Sequence, residues 1–394
     1  MLAEAQSQPD SIAISELSTP CLLVDRDKMR RNIKRLSDHI GGLGGTIRPH
    51  VKTHKSIDVT REVIAGGNVG GITVSTLKEA AYFYDAGITD IFYAVGIAPN
   101  KFAAAADLIK RGCDLKITLD SVDMAEHLGA YAAQQLSTTP DFSFPVLIEL
   151  DTDGHRSGTN PESDELLQIG RVLSDSAGCE LRGVMTHAGE SYACDTPESQ
   201  LAIARQERDL TVRAAERLRA AGMACPVVSV GSTPTAFAID DLSGVTEVRA
   251  GVYTFFDLVM AGIGVCDVDD IAVSVLVSVT GYQKEKGWVI TDGGWMAMSR
   301  DRGTEKQAVD YGYGLVTDAA GAPLEDFLVS GANQEHGIVS RRDSTQSIDY
   351  GSLPLGSLLR VLPNHACATA AQYDTLNIVD GAEVIARWGR TSGW

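Results

Sequence analysis

The sequence is short of the features that mark membrane, secreted and nucleic-acid-binding proteins. No apolar run reaches the roughly 18 residues that a membrane-spanning helix needs. The amino terminus has no basic region followed by an apolar core, which argues against a secretory signal. Basic residues are scarce, with 34 Lys and Arg against 52 Asp and Glu. The resulting formal net charge of −18 repels nucleic acid and anionic membranes, so we expect neither as a partner.

Cysteine is sparse and its number is odd, which argues against a disulfide framework. The seven cysteines are scattered along the chain: Cys21, Cys113, Cys179, Cys194, Cys225, Cys266 and Cys367. We therefore expect a reduced, cytoplasmic protein. The sequence also has no internal repeat and no low-complexity tract.

What the sequence does contain is a regular alternation of β-rich runs and amphipathic helical patterns. The predicted strands lie near Thr46–Val51, Gly71–Val74, Asp90–Ala94, Leu115–Leu119, Val146–Leu150, Gly183–Thr186, Val227–Val230 and Glu247–Ala250. Thr76-Leu77-Lys78-Glu79 predicts a capping box at one helix start, and Pro197 is placed as a first-turn proline at another. Alternation of this kind predicts parallel strands, and about eight repeats predict a closed (β/α)8 barrel.

A second region begins after Phe256, where the pattern changes. The β-like runs there are Ile271–Thr280, Gly287–Ile290, Leu358–Leu362 and Thr375–Val379. Gly, Asp and Pro turns separate these runs, and little helix is predicted. We expect an α/β protein with a barrel domain over residues 26–258 and a β domain over residues 259–394. Residues 1–25 would contribute one strand, Cys21–Asp25, to the β domain.

The segment Arg48-Pro49-His50-Val51-Lys52-Thr53-His54-Lys55 stands at the end of the first predicted strand. In a barrel of this type, active-site groups collect at the carboxyl ends of the strands. Lys52 can hold an aldehyde cofactor there as an imine, because burial and neighbouring positive charge favour the neutral, nucleophilic amine. The alternative is a basic, solvated strand end.

Other polar residues follow strand ends that a barrel would bring to the same mouth. They are Asp151, Asp153, His155 and Arg156 after the fifth strand, His187 after the sixth, Gly231-Ser232-Thr233 after the seventh, and Arg249, Gly251 and Tyr253 at the eighth. Arg156 could bond a phenolate oxygen or a carboxylate, or else pair with Asp151 or Asp153. His187 is either a group that contacts a cofactor ring or a satisfied core histidine.

Two neighbouring turns have the composition of a phosphate site. Gly231-Ser232-Thr233-Pro234-Thr235 offers backbone N–H groups and hydroxyls at a helix start. Gly251-Val252-Tyr253 offers a second set of donors at the adjacent strand end, where barrels usually bind phosphate. An ordinary βα connection would use the same residues.

In the second region, His365-Ala366-Cys367 follows a β-like run, and residues two apart on a strand point to the same face. Imidazole and thiolate together suit zinc, and two protein ligands would leave coordination positions open for substrate. Asp292 and Glu335-His336-Gly337 are weaker candidates, for which turn chemistry and surface charge are the alternatives.

These motifs occur in the order found in a known family. They are Thr19-Pro20-Cys21-Leu22-Leu23-Val24-Asp25, Arg48–Lys52, Gly231–Thr235, Glu335-His336-Gly337 and Pro363-Asn364-His365-Ala366-Cys367. From about residue 19 onward the chain resembles the fold-type III pyridoxal-phosphate enzymes of the D-serine dehydratase and D-threonine aldolase family. The resemblance implies an alanine-racemase-like barrel with a C-terminal β domain. Asp151–Gly158 and Gly293–Gly303 resemble the bacterial branch that acts on D-threo-3-hydroxyaspartate.

The resemblance also implies roles for individual residues. Lys52 is the implied imine lysine, and His365 and Cys367 are the implied ligands of a divalent metal. We assign cofactor binding to His50, Lys52, Arg156, His187, Tyr192, Ser232, Thr233, Gly251, Val252 and Tyr253. Other family members carry tyrosine where His187 stands. A thiolate ligand favours zinc, with manganese and magnesium as alternatives.

By this resemblance we expect a lyase that dehydrates D-threo-3-hydroxyaspartate or D-serine to a keto acid and ammonia. The alternative is a D-threonine aldolase, which cleaves D-threonine or D-phenylserine-type substrates to glycine and an aldehyde. Dehydratases of the family pair His with Cys at the metal site, whereas the better-known bacterial aldolases pair His with Asp. Cys367 therefore favours dehydration. Whether Lys52 is also the catalytic base stays open.

Two hypotheses of other classes are weaker. A racemase of this fold would need a second base and no metal, and His365 with Cys367 argues against it. A non-catalytic cofactor carrier would lack a C-terminal β domain. Fold-type III enzymes are commonly dimers, so the resemblance implies a homodimer. Arg300 and Arg302 either provide a site for a second substrate carboxylate or are surface charges.

Overall fold

The computed structural model describes residues 11–394, which divide into two compact units. The barrel unit is Lys34–Gly251 with Gly393–Trp394. The β unit is Val252–Ser392 with the described residues up to Ile33. The predicted domain limits, 26–258 and 259–394, remain predictions. The argument against a secretory signal concerns residues 1–10, which lie outside the described part.

The barrel unit is a row of parallel strands that pair in the order of the sequence. The strands are Ile72–Val74, Asp90–Gly96, Asp114–Leu119, Phe144–Leu150, Cys179–Thr186, Val227–Val230 and Glu247–Val248. Most of their apolar residues form one buried cluster with the helices that connect them, and Phe92, Leu147 and Met185 form a second, smaller cluster. Seven of the eight predicted strands are therefore present, within a few residues of their expected ends.

The first predicted strand, Thr46–Val51, is not a continuous strand. It is an extended segment in which Ile47 forms a parallel bridge with Val248 of the last strand. Pro49 has no N–H to donate, which interrupts the ladder, although its carbonyl accepts a hydrogen bond from the N–H of Thr73 at 2.8 Å. The segment thus joins the first and last strands of the row and completes the predicted eight-membered ring.

Helices follow most of the strands, as the alternation predicted. They are Arg26–Gly42, Ile57–Ala65, Leu77–Asp85, Phe102–Lys110, Val122–Leu136, Asp164–Asp175, Pro197–Ala220 and Thr233–Ala238. Thr76 caps the third of them by accepting a hydrogen bond from the N–H of Glu79 at 3.0 Å. The reciprocal bond of the predicted capping box is displaced by one residue, because the carboxylate of Glu79 accepts from the N–H of Ser75.

The β unit contains a ten-stranded, mainly antiparallel sheet. Its strands are Ile12–Ala13, Cys21–Asp25, Val273–Gln283, Trp288–Thr291, Leu315–Thr317, Pro323–Ala332, Gly337–Arg341, Leu358–Leu362, Thr375–Asp380 and Glu383–Gly389. An additional pairing of Val273–Gln283 with Leu358–Leu362 closes six of these strands into a small barrel. Three short helices, Leu258–Gly262, Trp295–Met298 and Ala366–Ala370, lie between them in sequence.

The strand nearest the amino terminus belongs to the β unit. Cys21–Asp25 pairs antiparallel with Val273–Gln283 and parallel with Thr375–Asp380. Its central residues Leu22 and Val24 have no exposed surface, as expected for an apolar strand with a neighbour on each side. The sheet is therefore assembled from both ends of the chain.

Two further expectations can be compared with the described residues. No helix within residues 11–394 is both long and apolar enough to cross a membrane. All seven cysteines lie in this range, and each is a free thiol.

Candidate functional site

Five predicted site residues influence one another at the carboxyl ends of the barrel strands. Burial and the charges of Lys52, Arg249 and Arg156 lower the pKa of His50 well below its ordinary value. Burial, Lys52 and Arg156 likewise lower the pKa of His187 to about 3. Because such effects require proximity, the fold brings these side chains together, and both imidazoles are neutral at ordinary pH.

The three cations of this group have no carboxylate partner. Within residues 11–394, neither Lys52, Arg156 nor Arg249 has a carboxylate oxygen within 4.0 Å. Arg249 is 4% exposed and donates instead to the Ser229 hydroxyl at 2.5 Å and to the Thr186 carbonyl. Glu149, Glu207 and Glu247 act on Arg249 only without a direct ion pair. A mouth with several cations and no direct ion pair suits an anionic ligand.

Arg156 lies in the exposed loop Asp151–Gly158. The alternative in which it pairs with Asp151 or Asp153 is not observed. The carboxylate of Asp151 accepts from the N–H of Gly154 at 2.6 Å, and that of Asp153 from the N–H of Glu190 at 2.9 Å. The loop is thus folded by its own acidic residues, and the guanidinium stays available.

The predicted phosphate turn is a tight helix start. Ser232 caps the helix Thr233–Ala238, since its hydroxyl accepts from the N–H of Thr235 at 3.2 Å. The N–H of Ser232 is already used, because it donates to the Thr235 hydroxyl at 3.0 Å. The hydroxyl of Thr233 is buried and finds no hydrogen-bond partner in the described chain. A buried hydroxyl without a partner is costly, and a phosphate oxygen would satisfy it.

Two glycines permit close backbone approach at this end of the barrel. Gly231 has φ +129°, and a Cβ atom there would lie 2.2 Å from the carbonyl oxygen of Arg249. A Cβ atom on Gly251 would lie 2.8 Å from the carbonyl oxygen of His50. Any larger residue would therefore displace the strand ends that carry the site.

Glu207 was not predicted from the sequence, yet it holds two of the site's turns. It lies on the helix Pro197–Ala220, and one of its carboxylate oxygens accepts from the N–H groups of Ala188 and Gly231, each at 3.0 Å. Ala188 follows His187, so one carboxylate fixes the ends of the sixth and seventh strands. The N–H of Gly231 is consequently not available to a phosphate. A buried glutamate on the inner face of an amphipathic helix is the sequence signal that could have revealed it.

The remaining predicted cofactor residues differ in exposure. Tyr192 is 36% exposed, and its ring centroid lies 6.1 Å from that of His187. His187 itself bonds the Gly231 carbonyl through Nδ1 at 3.1 Å. Val252 and Tyr253 begin the β unit and are buried there, and burial raises the pKa of Tyr253.

The predicted metal ligands lie in the β unit, but not on a strand. Leu358–Leu362 ends before them, and His365 is the N-cap of the helix Ala366–Ala370 that contains Cys367. The argument that both side chains share a strand face was therefore wrong, because Pro363 and Asn364 turn the chain. The two side chains are nevertheless adjacent, since Cys367 interacts with the His365 ring.

Two aspartates organise this pair. Asp301 bonds the Nδ1 atom of His365 at 2.8 Å, so Nε2 is the ring nitrogen that a metal would take in exchange for its proton. Burial opposes the charged ring, but the bonds to Asp301 and Cys367 outweigh it and raise the pKa of His365 to about 11. Asp257 accepts from the N–H of Ala366 at 2.9 Å, between the two ligands.

The donor set fits a metal with open coordination positions. Among residues 11–394, no three His, Cys, Asp or Glu side chains form a cluster that could hold an ion. An imidazole and a thiolate, with the imidazole oriented by Asp301, are the ligands available. The weaker candidates do not join them. Asp292 bonds the hydroxyl of Thr19 at 2.5 Å, and Glu335 and His336 are exposed.

The arginines considered for a second substrate carboxylate have local partners in the β unit. Arg302 pairs with Asp310 at 2.9 Å. The guanidinium carbon of Arg300 lies 5.1 Å from the ring centroid of Trp295. Arg302 keeps a buried Nε atom that has no hydrogen-bond partner among the described residues, so the role of this side chain stays a prediction.

Comparison with known proteins shows the family to which the two domains belong. Residues 24–259 match the family model "Alanine racemase, N-terminal domain", and residues 272–379 match "Putative serine dehydratase domain". The predicted alanine-racemase-like barrel with a C-terminal β domain is thereby confirmed. This fold family implies pyridoxal phosphate and a metal ion as cofactors.

Individual relatives match along nearly the whole chain. D-threo-3-hydroxyaspartate dehydratase of Delftia sp. (strain HT23) is 53% identical over 380 residues, covering 96% of this chain and 98% of the relative. Its solved structure superimposes with a TM-score of 0.93 at 52% identity, covering 97% of this chain and 100% of that one. A cysteine-to-alanine variant of such an enzyme, in a metal-free form, superimposes with a TM-score of 0.94 at 51% identity over 97% of this chain and 100% of the other.

More distant relatives include both reaction types. D-serine dehydratase of Dictyostelium discoideum is 30% identical over 385 residues, covering 93% of this chain and 94% of the relative. 3-Hydroxy-D-aspartate aldolase of Paracoccus denitrificans is 27% identical over 384 residues, covering 95% and 92%. The chain therefore belongs to the D-serine dehydratase-like family on an alanine-racemase-type barrel, and it is a lyase that acts on a small molecule. The resemblance inferred from the motifs is confirmed.

Proposed function

We propose that this lyase dehydrates D-threo-3-hydroxyaspartate, with D-serine as a further substrate, to a keto acid and ammonia. The observation that carries the proposal is the similarity to the Delftia dehydratase along nearly the whole chain. The pairing of His365 with Cys367 adds to it, because the family resemblance associates that pair with dehydration.

Lys52 is proposed as the residue that links covalently to pyridoxal phosphate. Two lysines occupy this turn, and their surroundings differ. The amine of Lys55 pairs with the buried carboxylate of Glu79 at 3.0 Å, whereas Lys52 has no ion pair within the described residues. A nucleophilic amine must be uncharged, and a neighbouring carboxylate favours the charged form. The surroundings therefore favour Lys52.

The remaining assignments follow from charge and hydrogen-bonding capacity. The Thr233 hydroxyl is proposed to contact the cofactor phosphate, because it is buried without a partner. Arg156 is proposed to contact an oxygen of the cofactor or substrate. His50, His187 and Tyr192 are proposed to surround the ring, and Ser232, Gly251, Val252 and Tyr253 complete the proposed cofactor-binding set.

His365 and Cys367 are proposed as ligands of a divalent ion, with zinc favoured by the thiolate. When bound, that ion supplies Lewis acidity for the departure of the substrate hydroxyl. Asp301 holds Nδ1 of the ring, so Nε2 would bind the ion after losing its proton.

Bound pyridoxal phosphate supplies an acceptor for the electrons released at the substrate α-carbon. Lys52, as a free amine, would take the α-proton of the substrate. The cations Arg156 and Arg249 are proposed to bind the anionic groups of substrate and cofactor. His50 and His187, which are neutral, add no competing acid.

A product assay separates dehydration from the alternative, aldol cleavage. Metal-depleted and zinc-restored protein would be given D-threo-3-hydroxyaspartate, D-serine and D-threonine in parallel. We expect a keto acid and ammonia from the first two substrates, and only after zinc is restored. Glycine and acetaldehyde formed from D-threonine faster than any keto acid would instead identify an aldolase.

The assembly and compartment are proposed from the same family resemblance. We infer a homodimer in the cytoplasm, and the free state of all seven cysteines agrees with a reducing compartment. Sedimentation at micromolar concentration would test the dimer, and a monomer there would contradict it.

A further inference from the structure

Lys55 has an unusual backbone conformation at the end of the turn that contains Lys52. Its φ angle is +48°, in the left-handed region that side chains other than Gly, Asn and Asp seldom adopt. Among the described residues of the barrel unit, only one other non-glycine residue, Asn68, has a positive φ. A lysine side chain has no short polar group with which to stabilise this conformation locally, so some other interaction must hold it.

The side chain of Lys55 provides that interaction. Its amine lies 3.0 Å from the carboxylate of Glu79, and the two side chains are 17% and 1% exposed. Glu79 is itself held firmly, because it also accepts from the N–H of Ser75 at 3.0 Å and from the Ser75 hydroxyl at 2.8 Å. Because Glu79 is fixed by these bonds, the ion pair allows the Lys55 amine only one position.

The other end of this turn is held by the strand Ile72–Val74, which precedes the helix that carries Glu79. The N–H of Val51 donates to the carbonyl of Thr73 at 2.9 Å, two residues before Ser75. The N–H of Lys55 returns to the carbonyl of Val51 at 2.7 Å and closes the turn. Lys52 therefore lies in a five-residue loop whose two ends are tied to neighbouring points of the second βα unit.

We propose that Lys55 and Glu79 are positioning residues for Lys52: their ion pair holds the turn in its left-handed form and so fixes where the Lys52 amine meets pyridoxal phosphate. This proposal rests on the function proposed for Lys52. Conformational strain beside a reacting residue is retained only where surrounding contacts enforce it, and the buried pair is such a contact.

The test uses variants that separate the ion pair from the backbone strain. K55A/E79Q and K55G/E79Q both lack the pair and the buried charge, and they differ by one methyl group at the left-handed position. K55R keeps a cation that can reach Glu79. For each, the dissociation constant of pyridoxal phosphate and the pH titration of its visible absorbance would be measured. Hydrogen exchange of the amides in residues 51–55 would be measured without cofactor.

We expect K55A/E79Q to bind pyridoxal phosphate about tenfold more weakly than the native protein, because the alanine leaves the left-handed form without support. K55G/E79Q should lose less, since glycine adopts this φ freely, and K55R should stay close to native. The midpoint of the absorbance titration should shift in the same order, and the amides of the turn should exchange fastest in K55A/E79Q.

If folded K55A/E79Q bound pyridoxal phosphate with native affinity and showed the native pH titration of its visible absorbance, the proposal would be overturned. The ion pair between Lys55 and Glu79 would then only stabilise the fold. A K52A variant distinguishes this from failure of the proposed function. If K52A retains the visible band, the assignment of Lys52 is wrong; if K52A loses the band while K55A/E79Q behaves as native, only the positioning role fails.

Discussion

The two ends of the barrel handle positive charge in opposite ways. At the amino ends of the strands, Arg48 pairs with Asp90 at 2.8 Å and with Glu247 at 2.7 Å. Lys116 adds a bond to Asp90 at 2.8 Å. At the carboxyl ends, Lys52, Arg156 and Arg249 have no carboxylate partner within the described residues.

The charged residues at the amino ends support the fold, whereas the cations at the carboxyl ends are kept for a ligand. Opposite charges at the amino end neutralise one another, and Arg48 on the first segment with Glu247 on the last strand also fastens the closure of the ring. At the carboxyl end Glu149, Glu207 and Glu247 offset the charge of Arg249 without a direct ion pair, so keeping the cations close together is an energetic cost. Such a cost is retained where a bound anion removes it.

Removing the amine at the carboxyl end should have the largest effect. Lys52→Ala should abolish the visible absorbance of bound pyridoxal phosphate and the lyase activity, since the covalent link cannot form. Thermal unfolding of the cofactor-free variant should change little, because one uncompensated cation is lost. Ultraviolet–visible spectra and melting curves measure both. A surviving visible band would refute the assignment.

Removing the central cation at the amino end should reverse that pattern. Arg48→Met leaves the buried carboxylate of Glu247 without its cation, and the partly exposed Asp90 keeps only Lys116. The free energy of unfolding should therefore fall by about 3–5 kcal/mol. Urea denaturation measures this change.

The double variant R48M/E247L is the matched control, because replacing both partners by apolar groups removes the unpaired charge. It should recover part of the loss. If R48M were as stable as the native protein, the amino-end cluster would not support the fold.

The hydroxyls of Thr233 and Thr235, in the predicted phosphate turn, show the same contrast between a group kept for a ligand and a group that supports the fold. Thr233→Val should weaken pyridoxal phosphate binding about tenfold, yet leave the stability of the cofactor-free protein unchanged, because that hydroxyl has no partner. Thr235→Val should instead destabilise the cofactor-free protein by about 1 kcal/mol, since its hydroxyl accepts from the Ser232 N–H. Fluorescence titration and calorimetry measure the two quantities. Equal destabilisation by both variants would contradict the prediction.

The pH dependence of stability should show the smallest effect. The folded pKa of His187 is about 3, below its ordinary value of 6.5. As the pH falls from 6.5, the unfolded chain takes up this proton first, so the contribution of His187 is present above pH 6.5 and is lost progressively below it.

His187→Phe should therefore flatten the decline in melting temperature between about pH 6.5 and pH 5, by about 2 °C. Tyr192→Phe, a change at the ring beside His187 that removes no titrating imidazole, is the control. An identical decline in H187F and the native protein would show that the histidine is not buried in its neutral form.

Strand order and the strand-end residues could be predicted because they depend on local patterns. The alternation of β-rich and helical patterns located seven strands. Because the carboxyl ends of barrel strands meet at one end of the barrel, Lys52 and His187 were predicted to lie together. The segment Thr46–Val51 does not form the continuous strand that the alternation predicted, because Pro49 has no N–H to donate to a neighbouring strand. The short helix at Ala366–Ala370 was missed because two residues of turn precede it.

The partners that orient the site could not be predicted from the sequence. Glu79, Glu207 and Asp301 act through contacts that only the folded chain creates. Asp301 lies 64 positions from His365, and Glu207 reaches Ala188 and Gly231 from a separate helix. Neither spacing nor periodicity encodes such pairs.

The position of Cys21–Asp25 in the β unit has a consequence for biosynthesis. This strand leaves the ribosome early, but its neighbours Val273–Gln283 and Thr375–Asp380 are made only after the whole barrel sequence. At about 5–20 residues per second, roughly 250 residues of translation separate the strand from its first partner, a delay of about 12–50 s. An apolar strand with two open edges must be shielded during this interval, so the nascent chain is a natural client for chaperones that bind extended segments.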